Sequence, residues 1–302
     1  MNIINFETLL VTIFVLVDDW CLTQKTASSN HSPGVPASMN DSEIITLALM
    51  MDYLPFPGET QFLAFIKANY HQWFPHVLTQ SQFNRRLRKL ACTIEKLRRS
   101  WVVKLGCTNE VNFIIDTKPI PVVGYNRHKS KSDFEGSASY GYCATRKMKY
   151  FGYKLVIICT LQGVPIAYDL VPANTDERKA VEEVLKVVHG CNIYGDKGFI
   201  GQDWQERIRI ETGNKILTVA RTNQVDNKKE QTKKLIGKIR QRIEGVFHEI
   251  QNTGRNPERF LNKTVEGLNT HMAAKIASHT LRVLLRKVLG IDVLRFQSAS
   301  VI

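Results

Sequence analysis

Two short apolar runs, each closed by an aspartate, constrain this chain more than any other feature. Val111–Asp116 reads VNFIID and Cys191–Asp196 reads CNIYGD. Both are too short for a helix and rich in residues suited to a pleated strand. Pro119 and Pro121 punctuate the first, and Gly198 follows the second. Each predicts a strand ending in a carboxylate at the rim of a sheet, where open α/β sheets place ligands. A single aspartate there is ordinarily a turn residue or a helix cap. A third acid, Glu244, lies in the basic helical stretch IGKIRQRIEGVFHEI, and the three together ask for more than a local explanation.

The elements around these runs define the fold class. After the first strand, Pro121–Met148 is rich in Ser, Gly, Arg and Lys and is expected to be an exposed basic loop carrying Arg127, His128, Lys129, Lys131, Arg146 and Lys147. Strands follow at Lys149–Thr160 and Val164–Val171, with Gln162 and Gly163 as a tight turn between them. A helix over Asp176–Val188, the Asp196 strand, a helix over Gln202–Thr212 and a strand over Lys215–Ala220 come next. Residues 221–234 form a Lys-rich loop, the Glu244 helix runs to Asn252, and a helix over Val265–Leu289 closes the pattern. Three strands in a meander, followed by helix-linked strands, require a mixed sheet, because a helical crossover delivers the next strand parallel. The expectation is an α/β fold, a ribonuclease H-like mixed five-stranded sheet flanked by helices. Its first and fourth strands are neighbours, so Asp116 and Asp196 would face one another.

The first third of the chain reads as all-helical. Helices are expected over residues 1–25, from a cap at Asp41 or Ser42 to about Tyr53, over Thr60–Trp73 and over Gln80–Val103, with a Ser/Pro-rich loop at Thr26–Asn40. The expected division is a helical region at 1–105 and an α/β domain at 106–302. The segment FNRRLRKL places Arg85, Arg86, Arg88 and Lys89 within one and a half turns, which is either a solvated helix face or a surface for a nucleic-acid backbone.

Charge distribution favours the second kind of surface. Residues 1–110 carry ten Lys/Arg against nine Asp/Glu, whereas residues 111–302 carry 31 against 19. The basic excess belongs to the part with the three acids, and a polyanion, most simply nucleic acid, is the partner it fits. The apolar run TLLVTIFVLV at Thr8–Val17 follows Glu7 and precedes Asp18 and Asp19. At ten residues it is too short to cross a bilayer and lacks the basic start of an export signal, so no membrane association is expected. Six cysteines without a CxxC pair read as reduced thiols of a cytoplasmic protein. Neither a His/Cys cluster suited to zinc nor a phosphate-binding glycine loop is present in the sequence.

Three carboxylates that converge repel one another unless a cation neutralises them, and hard oxygen ligands suit Mg²⁺ or Mn²⁺. Two such ions, about 3.5–4 Å apart, activate the attacking oxygen and stabilise the leaving oxygen in displacement at a phosphodiester. Asp116 would then bridge two ions, with Asp196 and Glu244 completing one site each.

The motifs IIDTKPIPV at Ile114, YGDKGFIG at Tyr194 and RQRIEGVF at Arg240 resemble the three acidic motifs of DDE transposases encoded by bacterial insertion sequences. The resemblance covers nearly the whole chain, including DSEIITLALM and FNRRLRKL. It implies that Asp116, Asp196 and Glu244 are the catalytic, metal-binding triad and that the substrate is double-stranded DNA, both element ends and target. It further implies a homo-oligomer working on DNA in the bacterial cytoplasm, associated with the nucleoid. Related families carry Tyr, Arg, Glu and Lys along the third-motif helix. Here Arg240 matches as a DNA-binding residue, while Gly237 stands at the Tyr position and Gln251 at the Lys position. A ribonuclease H-like nuclease that only hydrolyses and a DNA-binding remnant without catalysis are the competing readings, and the intact acids argue against the remnant.

Overall fold

The computed structural model describes residues 2–27, 37–123, 133–143, 147–218, 230–258 and 261–296. The helical part comprises α1 (Phe6–Ala27), α2 (Asp41–Met50), α3 (Glu59–Asn69), α4 (Gln80–Lys89) and α5 (Ala91–Lys104). Asn40, one residue earlier than expected, begins α2, and its backbone N–H donates to Glu43 at 2.5 Å. The single helix expected over 80–103 is two. Leu90 leaves helical geometry (φ −92°, ψ 1°) between α4 and α5. Phe83 and Leu87 on α4 and Ile94, Leu97 and Trp101 on α5 all reach the same core.

That core is completed from the far end of the chain. Helix α9 (Val265–Val288) inserts Ala274, Ala277, Leu281, Leu284 and Leu285 among the apolar residues of α1–α5. A parallel pair of strands not anticipated from the sequence, β1 (Asn2–Ile4) and β8 (Ile291–Phe296), adds Ile4 and Val293 to it.

The main sheet comprises β2 (Asn112–Val123), β3 (Ser139–Cys143), β4 (Met148–Thr160), β5 (Pro165–Pro172), β6 (Asn192–Tyr194) and β7 (Lys215–Leu217). Its order is β3-β4-β2-β6-β7, with β5 also paired to β4. Without β3, the sequence β5-β4-β2-β6-β7 is the ribonuclease H-like order, antiparallel through β5, β4 and β2 and parallel through β2, β6 and β7. The sixth strand, β3, lies in the stretch expected to be loop. It pairs with the first residues of β4 and has no apolar run to announce it.

Helices α6 (Glu177–Leu185) and α7 (Gln202–Thr212) cover one face of the sheet, packing Val181, Leu185, Trp204 and Ile208 on Phe113, Ile115, Val156 and Ile158. Helices α8 (Glu230–Asn252) and α9 cover the other, packing Ile243, Phe247, Ile250, Met272 and Ile276 on Ile114, Ile120, Leu155 and Ile157.

Helix α9 is buried on nearly all sides, so its polar residues need partners. Lys275 Nζ lies 2.7 Å from Asp52 Oδ1, and Arg282 Nη2 lies 3.5 Å from Asp52 Oδ2. Asp52 follows α2 and all three residues are buried. Thr253 Oγ1 donates to Asp52 at 3.2 Å, and the Gly254 N–H donates to the Asp52 carbonyl at 3.0 Å. One carboxylate therefore fastens α2, the end of α8 and the middle of α9 together.

A candidate active site on the rim of the sheet

Strand β2 does not end at Asp116. It continues to Val123 against β4, and Asp116 pairs with Ile157. The prolines read as terminators are accommodated because Pro119 and Pro121 share the alternation of Val111, whose carbonyl accepts from Asn192 N on the β6 side at 2.8 Å. Pairing with β6 stops at Ile114, so the missing proline N–H groups fall along an edge where no ladder is interrupted.

Continued by two residues, the register of β2 and β6 would set the two aspartates side by side. Parallel pairing of β2 with β6 matches Asn112 to Asn192, Phe113 to Ile193 and Ile114 to Tyr194. One residue beyond, a Cβ on Gly195 would lie 3.4 Å from Ile115 Cγ2, so the register continues. The next position in that register would match Asp116 with Asp196. Side chains at these even positions share a face. Asn192 Nδ2 donates to Asn112 Oδ1 at 3.1 Å, and Ile114 lies in the core under α8 and α9.

Both aspartates are half-buried and are oriented by the backbone that follows them. Thr117 N donates to Asp116 Oδ1 at 2.8 Å and Lys197 N to Asp196 Oδ1 at 2.5 Å. Each residue also makes further interactions. Cys159, beneath Asp116 in β4, has its thiol pushed up to about 12 by burial and then by the Asp116 charge, so it stays protonated.

Glu244 is exposed on α8, next to the buried Ile243. Gln251, two turns along on the same stripe, accepts a hydrogen bond from Lys118 at 2.8 Å, so this stripe borders β2. Among the described residues, however, no three His, Cys, Asp or Glu gather closely enough to hold a metal ion. The β2–β6 register carries Asp116 and Asp196 toward the same rim of the sheet, and Glu244 lies exposed on α8. Paired carboxylates, acceptor-only and hard, fit a divalent cation of the Mg²⁺ or Mn²⁺ type.

Lys118 was not singled out by sequence, although its spacing of two from Asp116 on a strand puts it on the same face. Its ammonium lies 3.5 Å from Glu258 and over the Phe247 ring, at 5.8 Å from the centroid. It places a cation one strand repeat from the aspartates.

The basic residues separate by environment. Arg85 and Lys89 are exposed on α4. Arg86 is engaged by Asp41 at 2.6 Å and by the Met39 carbonyl, and Arg88 by Glu266 at 3.2 Å. Arg127, Lys129 and Lys131 lie outside the described residues, and of Arg240 only its backbone place on α8 is described.

No described helix is long and apolar enough to cross a membrane. A search among curated proteins finds no match. Among solved structures, the chain is similar to the Mos1 transposase in a paired-end complex with left transposon end. The identity is 15%, covering 79% of this chain and 87% of that one, with a TM-score of 0.24. Values this low leave the assignment to the family comparison. The family described as transposase DDE domain matches residues 109–281, from the turn before β2 to the middle of α9 and through both aspartates. With more than half of its length matched, the chain belongs to the transposase DDE domain family.

Proposed function

We propose that this chain cleaves DNA at the ends of a bacterial insertion sequence and joins those ends to target DNA, with Asp116, Asp196 and Glu244 as ligands of two Mg²⁺ or Mn²⁺ ions. The observation that supports this most is the register of β2 and β6, which, continued by two residues, would make Asp116 and Asp196 neighbours inside a transposase domain. Bound divalent ions would supply charge stabilisation for the attacking and leaving oxygens of a phosphodiester. The protein's part is to hold two like charges together on a rigid sheet and keep them aimed. The Thr117 and Lys197 N–H groups fix one oxygen of each carboxylate and leave the other available.

In this reading residues 1–105 bind DNA, residues 106–302 carry the chemistry, and the protein works as a homo-oligomer on DNA. Arg240, one turn before Glu244, grips a phosphate with its planar fork, which a lysine cannot reproduce. Joining of a pre-cleaved element end to a supercoiled plasmid tests the proposal. Strand-transfer products dependent on Mg²⁺ are expected, and nicking without joining would establish the hydrolytic nuclease instead. In the same assay at saturating DNA, Arg240→Lys is expected to keep its DNA affinity and lose most of its rate.

The exposed pair on α4 makes a separate expectation. The double variant Arg85→Ala/Lys89→Ala should weaken binding evenly across sequences and flatten the plot of log affinity against log salt by about two units, roughly 0.9 for each phosphate no longer neutralised. Fluorescence anisotropy between 50 and 200 mM salt, concentrations over which phosphate binding responds strongly, reads the slope. An unchanged slope would make these residues a solvated face.

A further inference from the structure

Arg255, in the connection between α8 and α9, is a buried cation without a counter-ion among the described residues. It is 7% exposed, and neither its Nε nor its Nη2 has a hydrogen-bond partner there. The carboxylates whose fields reach it are engaged elsewhere, Asp52 by Lys275 and Arg282 and Glu59 by hydrogen bonds from Gln80 and Asn84. Arg255 itself makes no ion pair among the described residues, and a buried guanidinium left in that state is costly.

The backbone is arranged to put it there. Arg255 has φ 53°, in the left-handed region that favours glycine. Gly254 before it has no room for a side chain, since a Cβ would collide with the carbonyl oxygens of Met51 and Leu54. The Arg255 carbonyl is held by His271 Nε2 at 3.1 Å. Strain maintained by surrounding structure at a charged residue points to a site.

The side chain borders a cavity of about 770 Å³ between the α2–α3 and α8–α9 connections. Tyr53, Phe56 and Leu261 form an apolar wall, and Asn252, Asn256 and Arg282 add polar groups. A fork of donors beside an apolar wall suits a phosphate attached to a larger organic group.

We propose that Arg255 is the receptor for the phosphate of a nucleotide unit that enters this cavity, either a free mononucleotide or the terminal nucleotide of a DNA strand. The site does not depend on the aspartate pair, and the two ideas fail separately. The test follows thermal unfolding of the full chain at constant ionic strength, with a 5′-mononucleotide against its nucleoside, and with a short single-stranded oligonucleotide carrying or lacking a 5′-phosphate.

Phosphate-dependent stabilisation is expected in wild type and unchanged in Asp116→Asn. Arg255→Gln should weaken it about tenfold or more, the worth of charge-assisted hydrogen bonds, and without ligand should unfold no earlier than wild type. Protection by the mononucleotide identifies a free nucleotide as the source, and protection by the phosphorylated oligonucleotide alone identifies a strand end. Equal protection in Arg255→Gln, loss of protection in Asp116→Asn, or no phosphate-dependent protection in wild type would each overturn the proposal.

Discussion

Asp116→Asn is expected to lower Mg²⁺-dependent DNA cleavage roughly a thousandfold or more, because ligated ions contribute several kcal/mol of transition-state charge stabilisation. Asp196→Asn and Glu244→Gln should behave alike. The substitution should not unfold the protein. Asp116 is half-buried on a strand whose apolar contacts come from Phe113, Ile114, Ile115 and Ile120, and neutralising it would remove any repulsion from Asp196. In metal-free buffer the variant should therefore be as stable as wild type or more so. Added Mg²⁺ should raise the melting temperature of wild type through binding to the folded state, and that rise should vanish in Asp116→Asn. Cleavage together with calorimetry checks both halves, and near-normal cleavage by any of the three variants removes that residue from the proposed triad.

Asp52→Ala should have the largest effect on stability, about 3–5 kcal/mol, because breaking a buried ion pair strands the remaining charges. Here Lys275 and Arg282 are stranded together, both with side chains essentially inaccessible. Burial already holds the Lys275 ammonium down to about 8, against the opposing pull of Asp52, so losing the carboxylate should favour its neutral form further. The double variant Asp52→Ala/Lys275→Met should recover part of the loss. Urea denaturation of the three proteins measures it, and a loss below about 1 kcal/mol, the scale of an exposed pair, would mean that the cluster is wetter than its geometry indicates.

The five strands of the ribonuclease H-like order and their arrangement were legible because each rests on local pattern plus one topological rule. The separation of the two aspartates, 196 − 116 = 80, equals the register offset 192 − 112 = 80 between β2 and β6, which is the ground for proposing them as neighbours. What was not legible depended on long-range partners. Pro119 and Pro121 looked like terminators because no sequence shows on which side a neighbouring strand has ended. Strand β3 is held by main-chain pairing at an edge and its alternation is half exposed. The periodicity of α9 gave an amphipathic helix, yet its Lys275, His279 and Arg282 are interior, because Asp52 and Glu249 reach them from other elements.

The sharing of α9 between two cores bears on the order in which the protein can be made. The amino-terminal helices leave the ribosome first, but the apolar surface that receives Ala274, Ala277, Leu281, Leu284 and Leu285 stays open until residues 265–285 have been synthesised. Those helices must wait, with exposed apolar surface and an unmatched Asp52, through the production of the whole sheet. The DNA-binding face proposed for α4 would therefore mature only after the catalytic half, and a translation product arrested before α9 would be a candidate for proteolysis and not an inhibitor competing for DNA.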